Sequence, residues 1–318
     1  MNNQALQGVL FMLLNMLAMT CIDSCSKLLR ESMSSAHIVF LYKLFLLLAM
    51  MPWVLSKGMS AFKTDRIHVH IIRSFLSVLG LLFFIQGLHY VDIADAAALE
   101  NIQAILLVFI GVIFFGERKS RTKIIAVFLG FIGAIIVVNP AIVDFSSNNI
   151  IISNDKYYGF TLIGIGFWTV NSVVVKILGK TEKNKTQMFY LVFFSWLWSI
   201  PIALIKWDAV NIAGMNLSLV PTGLTAMSDF HVEFWHIKYI LFMSACHFVH
   251  GVSYFRALKS EISIVEPFRY SKFIFSAIFG YLFFQETPGF SAYIGFGFII
   301  FSGLILFLMD MRRNTQVS

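Results

Sequence analysis

Charged side chains are scarce in this sequence. Lys, Arg, Asp and Glu together make up 13% of the 318 residues, about half of the share that is usual in a soluble domain. The mean hydropathy is +0.79 and 58% of the residues are hydrophobic, which excludes an ordinary soluble fold. The alternation of apolar and polar residues that a membrane β-barrel needs is absent as well. The composition therefore favours a helical membrane protein.

Cysteine is rare, and the common catalytic signatures are missing. The three cysteines, Cys21, Cys25 and Cys246, all fall in apolar stretches, which indicates packing residues and not a disulfide or metal framework. The sequence contains no HExxH motif, no nucleophile elbow, no Walker loop and no dinucleotide-binding glycine run. We therefore predict no enzyme activity, no metal site and no cofactor, and without a nucleotide loop this chain alone cannot use ATP.

Long apolar stretches dominate the chain instead, and each is near the ~20 residues with which a helix crosses the hydrocarbon core. They cover residues 5–23, 36–55, 68–90, 94–115, 123–143, 157–179, 187–205, 237–257, 262–284 and 290–309. The predicted fold class is all-α, a polytopic membrane protein with ten transmembrane helices.

The net charge of +7 is distributed unevenly between the connecting segments. If the N-terminus is cytoplasmic, 15 Lys and Arg residues fall in inside segments and 5 in outside segments. This bias follows the positive-inside rule. Both termini are thus predicted to be cytoplasmic, and the positive charge indicates membrane orientation, with no nucleic-acid partner.

One segment of the sequence occurs twice. Residues 87–117 and 256–286 align without a gap at an offset of 169, and Gly111/Gly280 and Glu117/Glu286 are among the identical pairs. Five spans per half make the second copy enter the membrane from the opposite side. We predict two inverted five-helix repeats, at 5–143 and 157–309. This symmetry favours a transporter with a midplane site, although a channel or a membrane enzyme could share it.

Ionisable residues inside the spans give the strongest functional signal, because a charge at the centre of a spanning helix costs about 2.5–3.5 kcal/mol on insertion scales. Glu100 of the first copy aligns with Arg269 of the second. The two residues are expected either to bind substrate or to form a salt bridge that clamps the halves, and we favour substrate binding. The further substrate-binding candidates of spans four and nine are Asn101, Gln103, Glu266, Tyr270 and Lys272.

Other polar or aromatic residues in the spans are weaker substrate-binding candidates. For Lys43, a substrate-binding role and a side chain that snorkels to the membrane boundary are equally consistent with the sequence. His250 and Tyr254 share a face of span eight. His250 could contact substrate there, but we favour the alternative that it is a hydrogen-bonded packing residue. Trp168 and Asn171 are expected to face inward from span six.

Three expectations concern local structure. Asp23 and Lys27 have the i,i+4 spacing of a local ion pair. Spaced glycines in spans five and ten, such as Gly133 and Gly295, permit close helix packing. The connection 206–236 is expected outside the membrane, either as a gate or as an interfacial excursion anchored by its tryptophans; we favour the excursion.

Two stretches of the sequence resemble the drug/metabolite transporter superfamily, EamA type. They are IFFGERKSRTKIIAVFLGFIGAIIVVNP at 113–140 and VEPFRYSKFIFSAIFGYLFFQETPGFSAYIGFGFIIFSG at 265–303. The P-F-R-Y segment is similar to that of members linked to S-adenosylmethionine or riboflavin uptake. The resemblance implies a basket of ten helices, a central cavity that faces alternate sides, and a bacterial inner-membrane location. It places Arg269 and Tyr270 in the P-F-R-Y segment, and Lys43 where relatives usually have arginine.

The function expected from these observations is secondary transport of a small polar or zwitterionic metabolite by alternating access. Arg269 would hold an anionic group, and Glu100 a cationic group or a coupling proton. Export of amino acids or toxic compounds and a non-transporting membrane scaffold are the alternatives. The expected partners are a small-molecule substrate and the lipid bilayer, with a homodimer left open.

Overall fold

The computed structural model describes residues 3–55, 63–103, 106–107, 110, 121–138, 155–178, 182, 184–212, 215–224, 232–257, 268–269 and 271–315. Helices of eight residues or more account for most of this part of the chain. They are α1 (Asn3–Arg30), α2 (Ser35–Leu55), α3 (Ile67–Leu88), α4 (Ile93–Glu100), α5 (Arg121–Val138), α6 (Asp155–Leu178), α7 (Asn184–Leu204), α8 (Phe234–Ala257), α9 (Ser271–Phe284) and α10 (Phe290–Thr315).

Several of these helices have the length and apolar composition that a membrane span requires. Among the described residues, five segments qualify: Leu6–Arg30, Ser35–Pro52, Ile67–Leu88, Tyr158–Val175 and Thr186–Leu204. The predicted class, a polytopic helical membrane protein, is confirmed. The number of ten spans and the inverted repeats stay predictions.

An antiparallel hairpin is the one pair of strands in the described ranges. It consists of β1 (Ile205–Ile212) and β2 (Met215–Leu224), with irregular register near Lys206/Trp207 and Asp208/Ala209. The hairpin begins directly after α7 and occupies much of the connection 206–236. The sequence predicted no strand there, so the hairpin is an addition to the helical fold.

The chain divides into two compact units, and each combines stretches that are distant in sequence. The first unit comprises residues 1–24, 90–158 and 249–318. Within it α4 packs against α9, α5 and α10, and α5 packs along α10. The second unit comprises residues 25–89 and 159–248. Within it α2, α3 and α7 pack against one another, and α7 also contacts β1.

Helix α9 of the first unit shows which side chains face inward. Its buried residues include Lys272, Ser276 and Gly280, whereas the large apolar side chains of Ile274 and Tyr281 are exposed. A soluble helix has the opposite arrangement, because polar groups normally face water. Exposed apolar and buried polar side chains fit a helix that is surrounded by lipid.

Close packing of α5 on α10 depends on glycine. A Cβ atom built on Gly133 would lie 2.7 Å from the carbonyl oxygen of Gly295, and one built on Gly295 would lie 2.8 Å from the carbonyl oxygen of Gly133. Neither distance leaves room for a side chain. The prediction that spaced glycines of these two spans allow close helix packing is therefore confirmed for Gly133 and Gly295.

Candidate functional site

Three charged side chains from three helices meet inside the first unit. The Lys272 ammonium, at the start of α9, lies 2.8 Å from Asp23 Oδ2 on α1 and also donates a hydrogen bond to Glu100 Oε2 at the end of α4. The side chains of Lys272, Asp23 and Glu100 are only 6%, 11% and 15% exposed. We call this group the ion cluster. Two carboxylates that share one ammonium can hold a cation or a proton.

The end of α4 explains how Glu100 reaches the ion cluster. The helix ends at Glu100, and Asn101 Nδ2 turns back to donate to the carbonyl oxygen of Ala97 at 2.9 Å. The backbone N–H of Asn101 also donates to Ala98. These bonds satisfy carbonyl groups that the end of a helix leaves without intrahelical partners. Asn101 thus closes the helix on which Glu100 sits.

The structure pairs these charges differently from the sequence argument. The repeat alignment set Glu100 opposite Arg269, whereas the described partner of Glu100 is Lys272. The structure also brings Asp23 to Lys272, and the local Asp23–Lys27 pair stays a prediction. Lys272 is buried on α9, whereas Arg269 precedes that helix, in a short turn, and is exposed. Arg269 also acts on Glu100 electrostatically.

A second polar contact in the first unit joins α1 to α8. Asn15 Nδ2 donates to His250 Nδ1 at 2.9 Å and to the His250 carbonyl oxygen at 2.7 Å. The His250 and Tyr254 rings are nearly parallel, with centroids 6.4 Å apart. Tyr254 also packs on an apolar cluster that includes Met12. His250 is therefore hydrogen-bonded to α1, and its role as a substrate contact or as a packing histidine stays a prediction.

Asn15 was missed by the sequence argument. It is fully buried in the middle of α1, and its Oδ1 atom accepts no hydrogen bond within the described part of the chain. A buried amide oxygen without a donor is costly. The signal in the sequence was a single asparagine within an apolar span, and such residues deserve the same weight as intramembrane charges.

The second unit contains its own polar site, at the end of α1. Arg30 Nη2 and Ser35 Oγ donate to Gln86 Oε1 at 2.9 and 2.8 Å, and Arg30 Nε donates to the same oxygen at 3.3 Å. Gln86 is 6% exposed. Together with Phe83 and the N-terminus of α2, these residues line a cavity of about 340 Å³, the small end of the range for ligand pockets.

The sequence alone did not indicate that these residues form one polar site. Arg30 and Gln86 are 56 positions apart, so no local pattern connects them. A buried glutamine at the end of an apolar span was the one available signal.

Three predicted site residues lie in the second unit. Lys43 is 6% exposed, which argues against a side chain that snorkels to solvent, and its ammonium lies 5.3 Å from the centre of the Tyr42 ring. Trp168 packs on Phe84, with ring centroids 4.8 Å apart. Asn171 is half-buried, and its Oδ1 atom has no donor among the described residues. These three residues stay substrate-binding candidates, and all three belong to the second unit.

The remaining predicted residues divide as follows. Those in the first unit are Glu100, Asn101, Gln103, Arg269, Lys272, His250 and Tyr254. Glu266 and Tyr270 lie outside the described residues. Within the described ranges, no group of three His, Cys, Asp or Glu residues is placed to hold a metal ion.

Comparison with known proteins finds transporters that align with nearly the whole chain. Residues 6–139 match the EamA-like transporter family. The S-adenosylmethionine uptake transporter of Rickettsia felis is 24% identical over 311 residues, covering 98% of this chain and 96% of that protein. The riboflavin transporter of Brucella anthropi is 24% identical over 292 residues, covering 90% and 92%. One crystal structure, 14% identical, matches with a TM-score of 0.55 over 94% of this chain and 98% of its own, which supports the fold alone.

Proposed function

We propose that the chain is an EamA-type member of the drug/metabolite transporter superfamily and that it moves a small polar or zwitterionic metabolite across the bacterial inner membrane by alternating access. The substrate resembles S-adenosylmethionine or riboflavin, the compounds for which relatives of this chain are named. Ten spans in two inverted five-helix repeats, at 5–143 and 157–309, form its framework. Both termini face the cytoplasm, in accord with the distribution of 15 inside and 5 outside basic residues.

The observation that carries this proposal is the ion cluster. Charged groups in a spanning region are costly, so they persist where function requires them. Asp23 and Glu100 offer carboxylates to a cationic group of the substrate, in competition with the Lys272 ammonium that they contact in this structure. Arg269, exposed in the short turn before α9, supplies the positive charge that would receive an anionic group.

The other predicted substrate contacts are assigned by unit. The proposed substrate contacts of the first unit lie at two places. Asn101 and Gln103 lie at or just after the end of α4, and His250 and Tyr254 lie on α8. Asn15 holds His250 by a hydrogen bond. In the second unit the cavity beside Arg30 and Gln86 is the place where a polar ligand group would find donors. Lys43, Trp168 and Asn171 stay proposed contacts of that unit, and Glu266 and Tyr270 stay proposed contacts from the sequence alone.

The test is uptake into proteoliposomes that contain the purified full-length chain. Radiolabelled S-adenosylmethionine and radiolabelled riboflavin are used in separate assays, each against liposomes without protein. We expect one of the two compounds to enter, and Glu100→Gln to reduce its entry to the level of protein-free liposomes. Asp65→Asn is the matched control, because it neutralises an exposed carboxylate outside the ion cluster.

Two results would contradict the proposal in different ways. If wild-type protein takes up neither compound, the proposed substrate class is wrong. If Glu100→Gln and Lys272→Met both transport like the wild type, the substrate does not use the ion cluster. Counterflow of labelled against unlabelled substrate, measured on the same liposomes, separates a loss of binding from a loss of driving force.

A further inference from the structure

We infer that the cavity beside Arg30 and Gln86 binds an α-amino acid group, that is, an ammonium and a carboxylate carried on one carbon atom. Arg30 and Gln86 would take the carboxylate, and Glu31 the ammonium. Binding of such a group by the folded chain needs no transport. Passage of a transported compound through this cavity is a separate step, which rests on the proposed function.

The walls of the cavity come from three neighbouring helix ends. Arg30 ends α1, residues 31–34 lead into α2, and Phe83 and Gln86 lie near the C-terminal end of α3. All of these residues belong to the second unit. On the predicted topology this end of the helices faces outside. The volume of about 340 Å³ suits a small molecule.

The Arg30 guanidinium presents to Gln86 the edge with which arginine binds a carboxylate. Nε and Nη2 both donate to the single oxygen Gln86 Oε1, at 3.3 and 2.9 Å. A carboxylate brings two oxygens to the same two nitrogens, and both partners are then charged. A ligand carboxylate would therefore replace the neutral amide oxygen on Arg30. Gln86 Oε1 would keep its other donor, Ser35 Oγ at 2.8 Å.

The amide nitrogen of Gln86 is a second observation that points to an acceptor. Gln86 lines the cavity, and its buried Nε2 atom donates to no acceptor in the part of the chain that the structure describes. A buried donor without an acceptor is costly. A carboxylate bound to Arg30 would offer this neighbouring amide an acceptor, so the binding of a carboxylate would relieve that cost.

The N-terminus of α2 favours the same sign of ligand charge. Helix α2 begins at Ser35, and Ser34, Ser35 and Ala36 line the cavity. Ser34 Oγ accepts a hydrogen bond from the backbone N–H of His37 at 3.2 Å, which caps this helix end. The positive end of the helix dipole attracts any anion, and the guanidinium edge of Arg30 selects a carboxylate among them.

Glu31 makes a zwitterion a better occupant than a simple anion. It lines the same cavity and is exposed, so its negative charge would repel an anion and attract an ammonium. Arg30 and Glu31 thus give the cavity one charge of each sign. The rest of the wall includes the apolar side chains of Met33, Leu82 and Phe83, which would contact an apolar substituent on the same carbon atom.

Isothermal titration calorimetry of the purified full-length protein tests this inference with three matched probes. L-methionine carries both charges, L-methioninol lacks the carboxylate, and γ-(methylthio)butyrate lacks the ammonium. We expect L-methionine to bind. L-methioninol should bind about tenfold more weakly or worse, because the charged hydrogen bonds to Arg30 are lost. For γ-(methylthio)butyrate we expect a loss of only about two- to fivefold, because Glu31 is exposed.

Variants of the two charged residues assign these losses to their partners. Arg30→Gln should weaken L-methionine binding about tenfold or more. Lys27→Gln is the matched control, because it removes a basic residue of the same helix that does not line the cavity, and it should bind L-methionine like the wild type. Glu31→Gln should weaken binding of L-methionine and not of γ-(methylthio)butyrate. If Arg30→Gln does not fold, Arg30→Lys takes its place, since lysine lacks the bidentate edge.

The outcomes are separable from those of the uptake assay. The inference is overturned if L-methionine does not bind, if L-methioninol binds equally well, or if the Arg30 variant keeps wild-type affinity. Binding of L-methionine that depends on Arg30 supports the inference even when neither labelled compound enters the liposomes. Conversely, wild-type uptake by Arg30→Gln would support the proposed function and show that the transported compound does not use this cavity.

Discussion

The Glu286 carboxylate accepts a hydrogen bond from the backbone N–H of Ile93, with 2.9 Å between Oε2 and N. Ile93 is the first residue of α4, and the side chain of the preceding Asp92 makes no capping hydrogen bond. A residue that follows α9 therefore caps α4, the helix that carries Glu100 at its other end. The negative charge is also favourable at the positive end of the helix dipole.

Replacing Glu286 tests this cap. Glu286→Ala leaves the Ile93 N–H without its acceptor, and a buried donor that loses its partner costs about 1–3 kcal/mol. We expect a lower thermal unfolding temperature for the purified variant in detergent, followed by intrinsic tryptophan fluorescence. Glu286→Gln is the matched control, because the amide oxygen can still accept the hydrogen bond. Equal melting temperatures for wild type and Glu286→Ala would show that the cap contributes nothing.

Gln285, directly before this cap, has a backbone φ of 55°, in the left-handed region that favours glycine. A side chain there costs roughly 1–2 kcal/mol, whereas glycine loses roughly 0.5–1 kcal/mol through the entropy of the unfolded chain. Gln285→Gly should therefore raise the melting temperature slightly, and Gln285→Ala, which keeps a Cβ atom, should not. A lower melting temperature for Gln285→Gly than for Gln285→Ala would contradict the reading that the backbone here is strained.

The order of helices and their glycine contacts could be predicted from the sequence, whereas the partners of buried charges could not. The span predicted at 237–257 corresponds to α8, Phe234–Ala257, because a long apolar run leaves a helix few alternatives in lipid. Small residues at helical spacing likewise indicated close packing of spans five and ten, although the sequence did not identify Gly133 and Gly295 as partners. These features depend on local composition.

Long-range contacts and backbone pairing are decided by tertiary packing. Asp23 has a basic residue one turn away in Lys27, but no local pattern indicated its contact with Lys272. Repeat symmetry pointed to Arg269 for Glu100 because it compares positions in the sequence, and it cannot tell which of two basic residues on neighbouring turns is buried. The hairpin of β1 and β2 has an irregular register, so it lacks the clean alternation by which a strand is recognised.

Gln86 provides a test of the polar site in the second unit. Its Oε1 atom accepts hydrogen bonds from Arg30 and Ser35, and Gln86→Leu would leave these donors without that acceptor. We expect a loss of about 1–3 kcal/mol in the free energy of unfolding, measured as a lower melting temperature. Gln86→Glu keeps the acceptor oxygen and adds an ion pair with Arg30, so it should melt at or above the wild-type temperature. Identical melting of Gln86→Leu and Gln86→Glu would show that the acceptor is unimportant.

Two glycines of α10 make a matched pair for testing helix packing. A Cβ atom at Gly295 would lie 2.6 Å from Val137 Cγ2 and 2.8 Å from the carbonyl oxygen of Gly133, whereas one at Gly297 would meet nothing within 4 Å. Gly295→Ala must push α5 away and should cost about 1–3 kcal/mol, the usual range for overpacking. Gly297→Ala should be neutral or stabilising by up to about 1 kcal/mol, since alanine favours a helix over glycine. The measurement is the difference in melting temperature between these two variants, which add the same methyl group to one helix. Equal melting temperatures would mean that α5 and α10 do not pack through Gly133 and Gly295.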